Sequence, residues 1–504
     1  MTTTRKRTRR TFLIPSIPDL VFAGLACLQV AAASVMLLNR DGDLPRHIAV
    51  GKVMLDNRAL PREDFFSHTA YGQPFLAYEW LSQLIFAAVH QFAGLDAVVV
   101  LTAVVIASAY ALVAGFLIRR GVAADLVVLT VAAAALLGMT HWAARPHAFS
   151  FAATAILLRM LEPGKTRLWL FVPLFAVWTN LHPGFLFGLG ILGLMTVGDL
   201  FEAVAGEDRS AWRQAARYHA TALGLGAAAT LLNPYGIGLH MHSLGHLGSA
   251  EMMSATLEFR SPDFHSLAGQ VFLGILLLVL AAIGARRSRL TAPTLLIFLA
   301  TVALSLNSRR YIALFGLVTL PMLALALAAD WERWIPRALR DPGRALAEGD
   351  RLARRGGVAF LLAAVLFGLA ISAGEGNSRQ YIANDFDPRV FPVDAVKFAR
   401  TNRVSGRLYN DYKWGGYLTL AWPEQRVFID GLADFYGIHI FRDALHVAGL
   451  KPGWRDVLDR WKIELVLVPA NSVVAAELVR DPRWHELYRD EVSVLLERKR
   501  PDSN

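Results

Sequence analysis

The sequence predicts a polytopic α-helical membrane protein of about eleven transmembrane helices, followed by a small C-terminal α/β domain. The 504-residue chain is 55% hydrophobic, with a mean hydropathy of +0.39. Uncharged apolar windows of roughly 17–25 residues recur along it. Each can cross a hydrocarbon core of about 30 Å, and a helix satisfies its own backbone there. From about residue 380 the apolar runs shorten and turn residues return, which is the signature of a soluble fold.

The opening "MTTTRKRTRR" carries five Lys/Arg. The run behind it is about as long as a full span, so it reads as a retained helix with a cytoplasmic N-terminus rather than a cleaved signal. The first span covers 19–38, and a polar stretch, 39–78, emerges outside. "EWLSQLIFAAVHQFAG" (79–94) is short and carries Glu79, Gln83, His90 and Gln91. It reads as a helix lying on the outer surface, ending a first outer loop of 39–95. Spans follow at 96–118, 123–141, 147–161, 167–180 and 183–203. "GEDRSAWRQAARYH" is an amphipathic cytoplasmic connector into a span at 219–232. After a long outer loop, 233–268, come spans at 269–284, 291–306 and 311–329, a basic cytoplasmic segment, 330–356, and a last span at 357–373.

This threading puts about 22 Lys/Arg in cytoplasmic loops and about 9 in the outer loops that precede the tail domain, as the positive-inside rule requires. Counting 79–94 as a span would place Arg119–Arg120 and "ARRSR" outside. The parity of eleven spans puts the tail outside the cell. The chain therefore divides into a transmembrane domain, 1–379, and an extracytoplasmic domain, 380–504. In the latter "GRLYN", "RVFIDG", "ELVLVP" and "VSVLLERK" read as strands, alternating with the helical "PVDAVKFARTN", "WRDVLDRW" and "SVVAAELVRD".

The net charge of +10 does not indicate nucleic acid, because the Lys/Arg sit at span ends. The single cysteine, Cys27, lies in an apolar run and permits no intramolecular disulfide. There is no HExxH, P-loop, GxSxG or CxxC, which argues against the commonest metalloprotease, NTPase and serine-hydrolase patterns.

Polar chemistry collects on the outer side. His47, His68, His141, His147, His182, His240, His242, His246 and His265 all fall there. So do Asp41, Asp43, Glu63, Asp64, Glu79, Glu251, Glu258 and Asp263, together with Arg145 in "HWAARPHAFS", Asn180 and His182 in "WTNLHPGF", and Arg309 and Arg310 in "LNSRRY". Ionisable groups near membrane depth are costly and face a cavity or a partner, so one polar cavity would explain these segments together. Each also has a plainer reading. Asp43 can be the N-cap of a helix with Pro45 in its first turn. Arg309–Arg310 can anchor a helix end, and His182–Pro183–Gly184 can be a turn. His242 and His246 stand at i, i+4, a metal-binding spacing if helical.

Taken together these features resemble the GT-C superfamily of integral-membrane glycosyltransferases, especially the bacterial branch similar to protein mannosyltransferases and lipid A aminoarabinose transferases. The residues that carry the resemblance are Asp41 and Asp43 just after the first span, the surface-helix segments "RHIAVGKVMLDN" and "YEWLSQLIF", and "ARPHAFSF". "WTNLHPGFLFG", "LNPYG", "YNDYKWGGYL" and "VFIDGLADFYG" add to it. The resemblance implies a multi-pass protein of the bacterial inner (cytoplasmic) membrane, with the tail periplasmic. It implies transfer of a sugar from a polyprenyl-phosphate donor to an outer-face acceptor: a glycan, lipid or protein. A carboxylate of the first loop, Asp43 or Asp41, would act as general base. Arg145, Arg309 and Arg310, with His182, would hold the donor phosphate. His47, Glu79 and Asn180 would line the substrate site, and Trp414, Tyr417 and Asp430 would meet the acceptor. The alternative for the tail is a cap over the cavity, with Gly415–Gly416 as a turn.

Some GT-C enzymes use a divalent metal; here Asp43 and His47 are the two residues that could ligate one. The spacing D-G-D departs from the adjacent acidic pair of the mannosyltransferases, which leaves the identity of the base open. A lipid-linked-sugar flippase would instead predict an inverted repeat and helices broken near mid-membrane, and no repeat is evident. A non-catalytic envelope assembly protein would tolerate loss of Asp43 and of the arginines.

Overall fold

The computed structural model describes residues 14–40, 42–247, 257–285, 290–334, 337–353, 356–372 and 384–499. Asp41 and His246 are not among the residues whose side chains it describes. The protein is a helical membrane bundle carrying a small mixed domain. Among the described residues five helices are long and apolar enough to span: Trp80–Arg119, Ala124–His141, Phe185–Ala205, Leu267–Ala285 and Arg309–Trp331. Five shorter apolar helices join them: Ile17–Ala31, His147–Met160, Leu168–Leu181, Ala292–Asn307 and Gly357–Ser372. The span expected at 219–232 is the second half of one helix, Arg209–Ala229. The amphipathic "connector" is its first half, because nothing between them stops a helix.

The first helix opens on a capping box. Ser16 Oγ accepts the Asp19 N–H, and the Asp19 carboxylate accepts the Ser16 N–H, which settles two orphan donors reciprocally. Helix Trp80–Arg119 is broken at Ala93–Gly94, where Gly94 has φ +66°, a left-handed conformation that glycine adopts cheaply. The surface helix expected at 79–94 and the span at 96–118 are the two arms of this element. Helix Asp43–Asn57 lies across the first arm. The contact is close: a Cβ on Gly51 would stand 2.1 Å from the Gln83 carbonyl oxygen.

The tail sheet has the order β1-β2-β4-β3, with β1 Leu408–Asn410, β2 Leu465–Pro469, β3 Trp484–Arg489 and β4 Ser493–Arg498. β1 and β2 are parallel, with Leu408 opposite Leu465, and the other two pairings are antiparallel. Three of the four expected strands are present. "RVFIDG" is not one of them. It makes an isolated bridge to the first loop instead: Val427 N–H donates to the Phe66 carbonyl, and His68 N–H to the Val427 carbonyl, each at 3.0 Å.

The tail is therefore fastened to the first loop. Thr69 Oγ1 donates to the Phe428 carbonyl at 2.5 Å and His68 Nε2 lies 2.8 Å from the Leu408 carbonyl. At the bundle end, Asp96 accepts the backbone and side-chain N–H of Asn384, and Asn39 accepts the Asp387 N–H.

Candidate active site

Asp43 is the first residue of helix Asp43–Asn57, and the N-cap is Gly42, which makes no side-chain capping bond. The cap falls one residue earlier than the sequence suggested. A cap residue folds its carboxylate back onto the helix; Asp43, one position on, turns its carboxylate outward to the Arg145 guanidinium. Gly431 of the tail lies against the same carboxylate. A Cβ there would stand 2.0 Å from Asp43 Oδ1, so any larger residue would displace the carboxylate from its place.

Arg145 is the hub. Its Nη1 donates to Glu258 Oε1 at 2.7 Å while Nη2 holds Asp43. One guanidinium thus bridges two carboxylates, and its side chain is 20% exposed. Arg145 above all, with Arg310 adding to it, holds the Glu258 carboxyl well below the usual range against the opposing effect of burial. Arg310 lies over the Phe259 ring, 4.7 Å from its centroid. Two bonds tie its turn to the Glu258 loop: Ser308 Oγ to the Glu258 carbonyl and Arg309 N–H to the Arg260 carbonyl, each at 3.0 Å. Arg309 itself faces outward.

Behind this hub runs a line of imidazoles. The rings of His141 and His147 are 4.3 Å apart, and those of His147 and His182 are 6.3 Å apart. The Gly184 N–H donates to His182 Nδ1 at 2.9 Å, so in the neutral ring the proton is on Nε2, which faces Glu79 Oε1 at 3.8 Å. Ser150 Oγ, which accepts from Trp178 Nε1, also bonds His182 Nδ1 at 2.8 Å. A Cβ on Gly184 would collide with Ser150 Oγ, which explains the glycine of "HPG". Glu79 Oε2 faces His47 Nε2 at 3.9 Å, and Gln83 bonds His47 Nδ1.

Burial, then the Arg145 and Arg46 charges, push His47 down to about 3. Burial likewise pushes His182 well below its usual value. An unfolded imidazole titrates near about 6.5, so between that pH and about 3 only the unfolded chain takes up the proton. Stability therefore falls as pH drops through about 6.5 and is indifferent to these rings above it. We expect the melting temperature to fall between about pH 7 and about pH 5, and His47→Gln to flatten that fall. Scanning fluorimetry in detergent checks this; an unchanged pH slope in the variant would sink it.

The other expected site residues sit elsewhere. Asn180 is engaged within the fold: its amide donates to the Ala176 and Leu232 carbonyls and accepts the Trp80 Nε1–H at 2.6 Å. Trp414 and Tyr417 face the interior of the tail, not a glycan. Trp414 donates to the Val390 carbonyl and Tyr417 stacks on Phe391 at 5.0 Å. Gly415 and Gly416 open helix Gly415–Ala421 instead of forming a turn. Each fits because a backbone oxygen, Ile429's or Gly42's, lies where a Cβ would be.

Asp430 is fully buried and makes an ion pair with Arg46 Nε at 3.1 Å, with Asp64 at 3.7 Å from Arg46 Nη2. Tyr436 donates to Asp430 Oδ2, and the Arg46 guanidinium lies 4.1 Å from the Phe66 ring centroid. Burial pushes the Asp430 carboxyl up and Arg46 pulls it down. Arg46, Ser150 and Gly431 carry no role in the sequence-based expectation, and Asp64 and Glu258 stand there only among the outer acids.

Among the described residues no three His, Cys, Asp or Glu side chains converge as a metal site. Asp43 turns to Arg145 and His47 to Glu79, so the two do not form a ligand pair. A guanidinium fills the space between Asp43 and Glu258. This donor set does not fit a divalent metal.

No family model and no curated protein matches the sequence. Solved structures do match in shape. The oligosaccharyltransferase AglB of Archaeoglobus fulgidus, in complex with an inhibitory peptide and a dolichol-phosphate, aligns with a TM-score of 0.56 and 12% identity. The alignment covers 90% of this chain and 69% of that one. ArnT from Cupriavidus metallidurans, bound to undecaprenyl phosphate, aligns with a TM-score of 0.50 and 13% identity over 95% of this chain and 97% of its own. At this identity the likeness is one of fold, and this chain has the fold of both.

Proposed function

We propose that this chain is a glycosyltransferase of the cytoplasmic membrane, moving a sugar from a polyprenyl-phosphate donor to an acceptor at the outer face, where its C-terminal domain also lies. One observation carries the reading: Asp43, the first residue of a loop helix, presents its carboxylate to Arg145, with Glu258 and Arg310 alongside. A base and a cationic phosphate site are thus adjacent at one end of the bundle. The lipid phosphates in the structures of similar shape support a donor of that class.

In this reading the Asp43 carboxylate takes the proton from the acceptor hydroxyl, whose oxygen bonds to the sugar's anomeric carbon. The bond from that carbon to the phosphate oxygen breaks, and the electron pair leaves on polyprenyl phosphate. Arg145 and Arg310 stabilise the charge that develops there. The arriving phosphate competes with Glu258 for Arg145, which frees the guanidinium to serve the leaving group. His182, fixed as its Nε2–H tautomer by the Gly184 N–H, presents that N–H on the Glu79 side of the site.

Thin-layer separation of lipid-linked sugars from membranes with and without this chain tests the proposal. The donor accumulates when the chain is deleted. An unchanged donor pool sinks the reading, and a donor trapped in the inner leaflet would instead identify a flippase.

A further inference from the structure

A cavity opens at the other end of the bundle. It measures about 340 Å³ and is lined by Asp19, Phe22, Val104, Leu112, Arg119, Arg159 and Phe360, among others. It is remote from the candidate active site. Helix His147–Met160 has the imidazole line at its start and Arg159 near its end, about 18 Å away at 1.5 Å per residue. Its volume falls in the range of small-ligand sites.

Among the described residues that line it, two are cationic, Arg119 and Arg159, and one is anionic, Asp19. Its one carboxylate, Asp19, is saturated: Oδ2 accepts the Ser16 N–H and Oγ–H, and Oδ1 accepts the Gly356 and Ala359 N–H at 3.1 Å. Two helix N-termini thus absorb its charge. Arg159 makes no ion pair with any described carboxylate. The Arg119 guanidinium folds back along its helix, with Nη1 3.5 Å from where a Gly115 Cβ would stand and Pro18 equally near. The walls are apolar and continue outward onto Phe360, which is 72% exposed on a helix of spanning composition. A soluble anion would gain nothing from that surface, whereas an acyl chain would.

We propose that this cavity is a binding site for an anionic phospholipid of the leaflet opposite the active site. The headgroup phosphate lies between Arg159 and Arg119, and an acyl chain runs along Phe22, Val104 and Phe360. The site rests on the membrane reading of the helices and not on sugar transfer, so the two can fail separately.

The test is native mass spectrometry of the full chain, released from nanodiscs of equal phosphatidylglycerol and phosphatidylcholine. Wild type retains phosphatidylglycerol in preference. Arg159→Gln and, independently, Arg119→Gln lower that retention roughly tenfold, the worth of one charge-assisted hydrogen bond, with phosphatidylcholine retention and melting temperature unchanged. Arg159→Lys keeps most of the preference. Equal retention by wild type and both variants overturns the site, as does parallel loss of both lipids. Displacement of the lipid by millimolar inorganic phosphate would show the cavity to be a site for a free anion and overturn the lipid assignment.

Discussion

Replacing Asp43 with asparagine is expected to lower sugar transfer by about 10²–10⁴-fold, the usual contribution of a positioned general base. The loss should appear in kcat and leave the KM for the donor nearly unchanged, because Arg145 and Arg310, not Asp43, are placed to bind the phosphate. The fold should tolerate the change. The Asp43 and Arg145 side chains are about one-fifth exposed, Arg145 keeps Glu258, and asparagine retains an amide oxygen that accepts from the guanidinium. Transfer assayed in proteoliposomes, together with a melting curve, reads both effects. Near-normal activity removes Asp43 as the base, and Asp41→Asn is then the variant to assay.

Truncating Arg46 to alanine should be the most destabilising single change in the first loop. The Arg46 side chain is 2% exposed, and its two carboxylate partners, Asp64 and Asp430, are wholly buried. Removing the cation strands both acids in the interior. Breaking a buried pair in this way costs about 3–5 kcal/mol, to which the lost packing on Phe66 and Phe75 adds. The melting temperature should fall steeply, and limited proteolysis should release the tail sooner than in wild type. Replacing Arg46, Asp64 and Asp430 together by apolar residues of similar volume should recover much of the loss. A single Arg46→Ala variant that melts like wild type would falsify the network's role.

The spans were legible in the sequence because hydrophobic length is a local property. The broken helix at Gly94 was legible too, since the polar residues of 79–94 set that arm apart from its neighbour. Asp43 and Arg145 stood out as ionisable groups at the ends of apolar runs, and the structure does bring them together. What the sequence could not supply was direction. Trp414 and Tyr417 have the composition of a sugar platform, but which way a ring points depends on partners such as Phe391 and Val390. Arg46 lay in plain sight beside Asp43, yet its partners come from a distant loop and from the tail. "WHELYR" hid as a strand because, at the sheet edge, only Trp484 of it is buried, while "RVFIDG" looked like one and instead braces the first loop.

That brace has a consequence for how the protein is made. Thr69 and Phe428, which are hydrogen-bonded, stand 359 residues apart. At a synthesis rate of about 5–20 residues per second, the first loop waits on the order of twenty to seventy seconds for the segment that closes over Asp43. Throughout that interval the bundle can insert, but Arg46 has no Asp430 and the wall formed by Gly431 does not exist. On the proposed function, a nascent chain therefore transfers no sugar until the tail reaches the loop it completes.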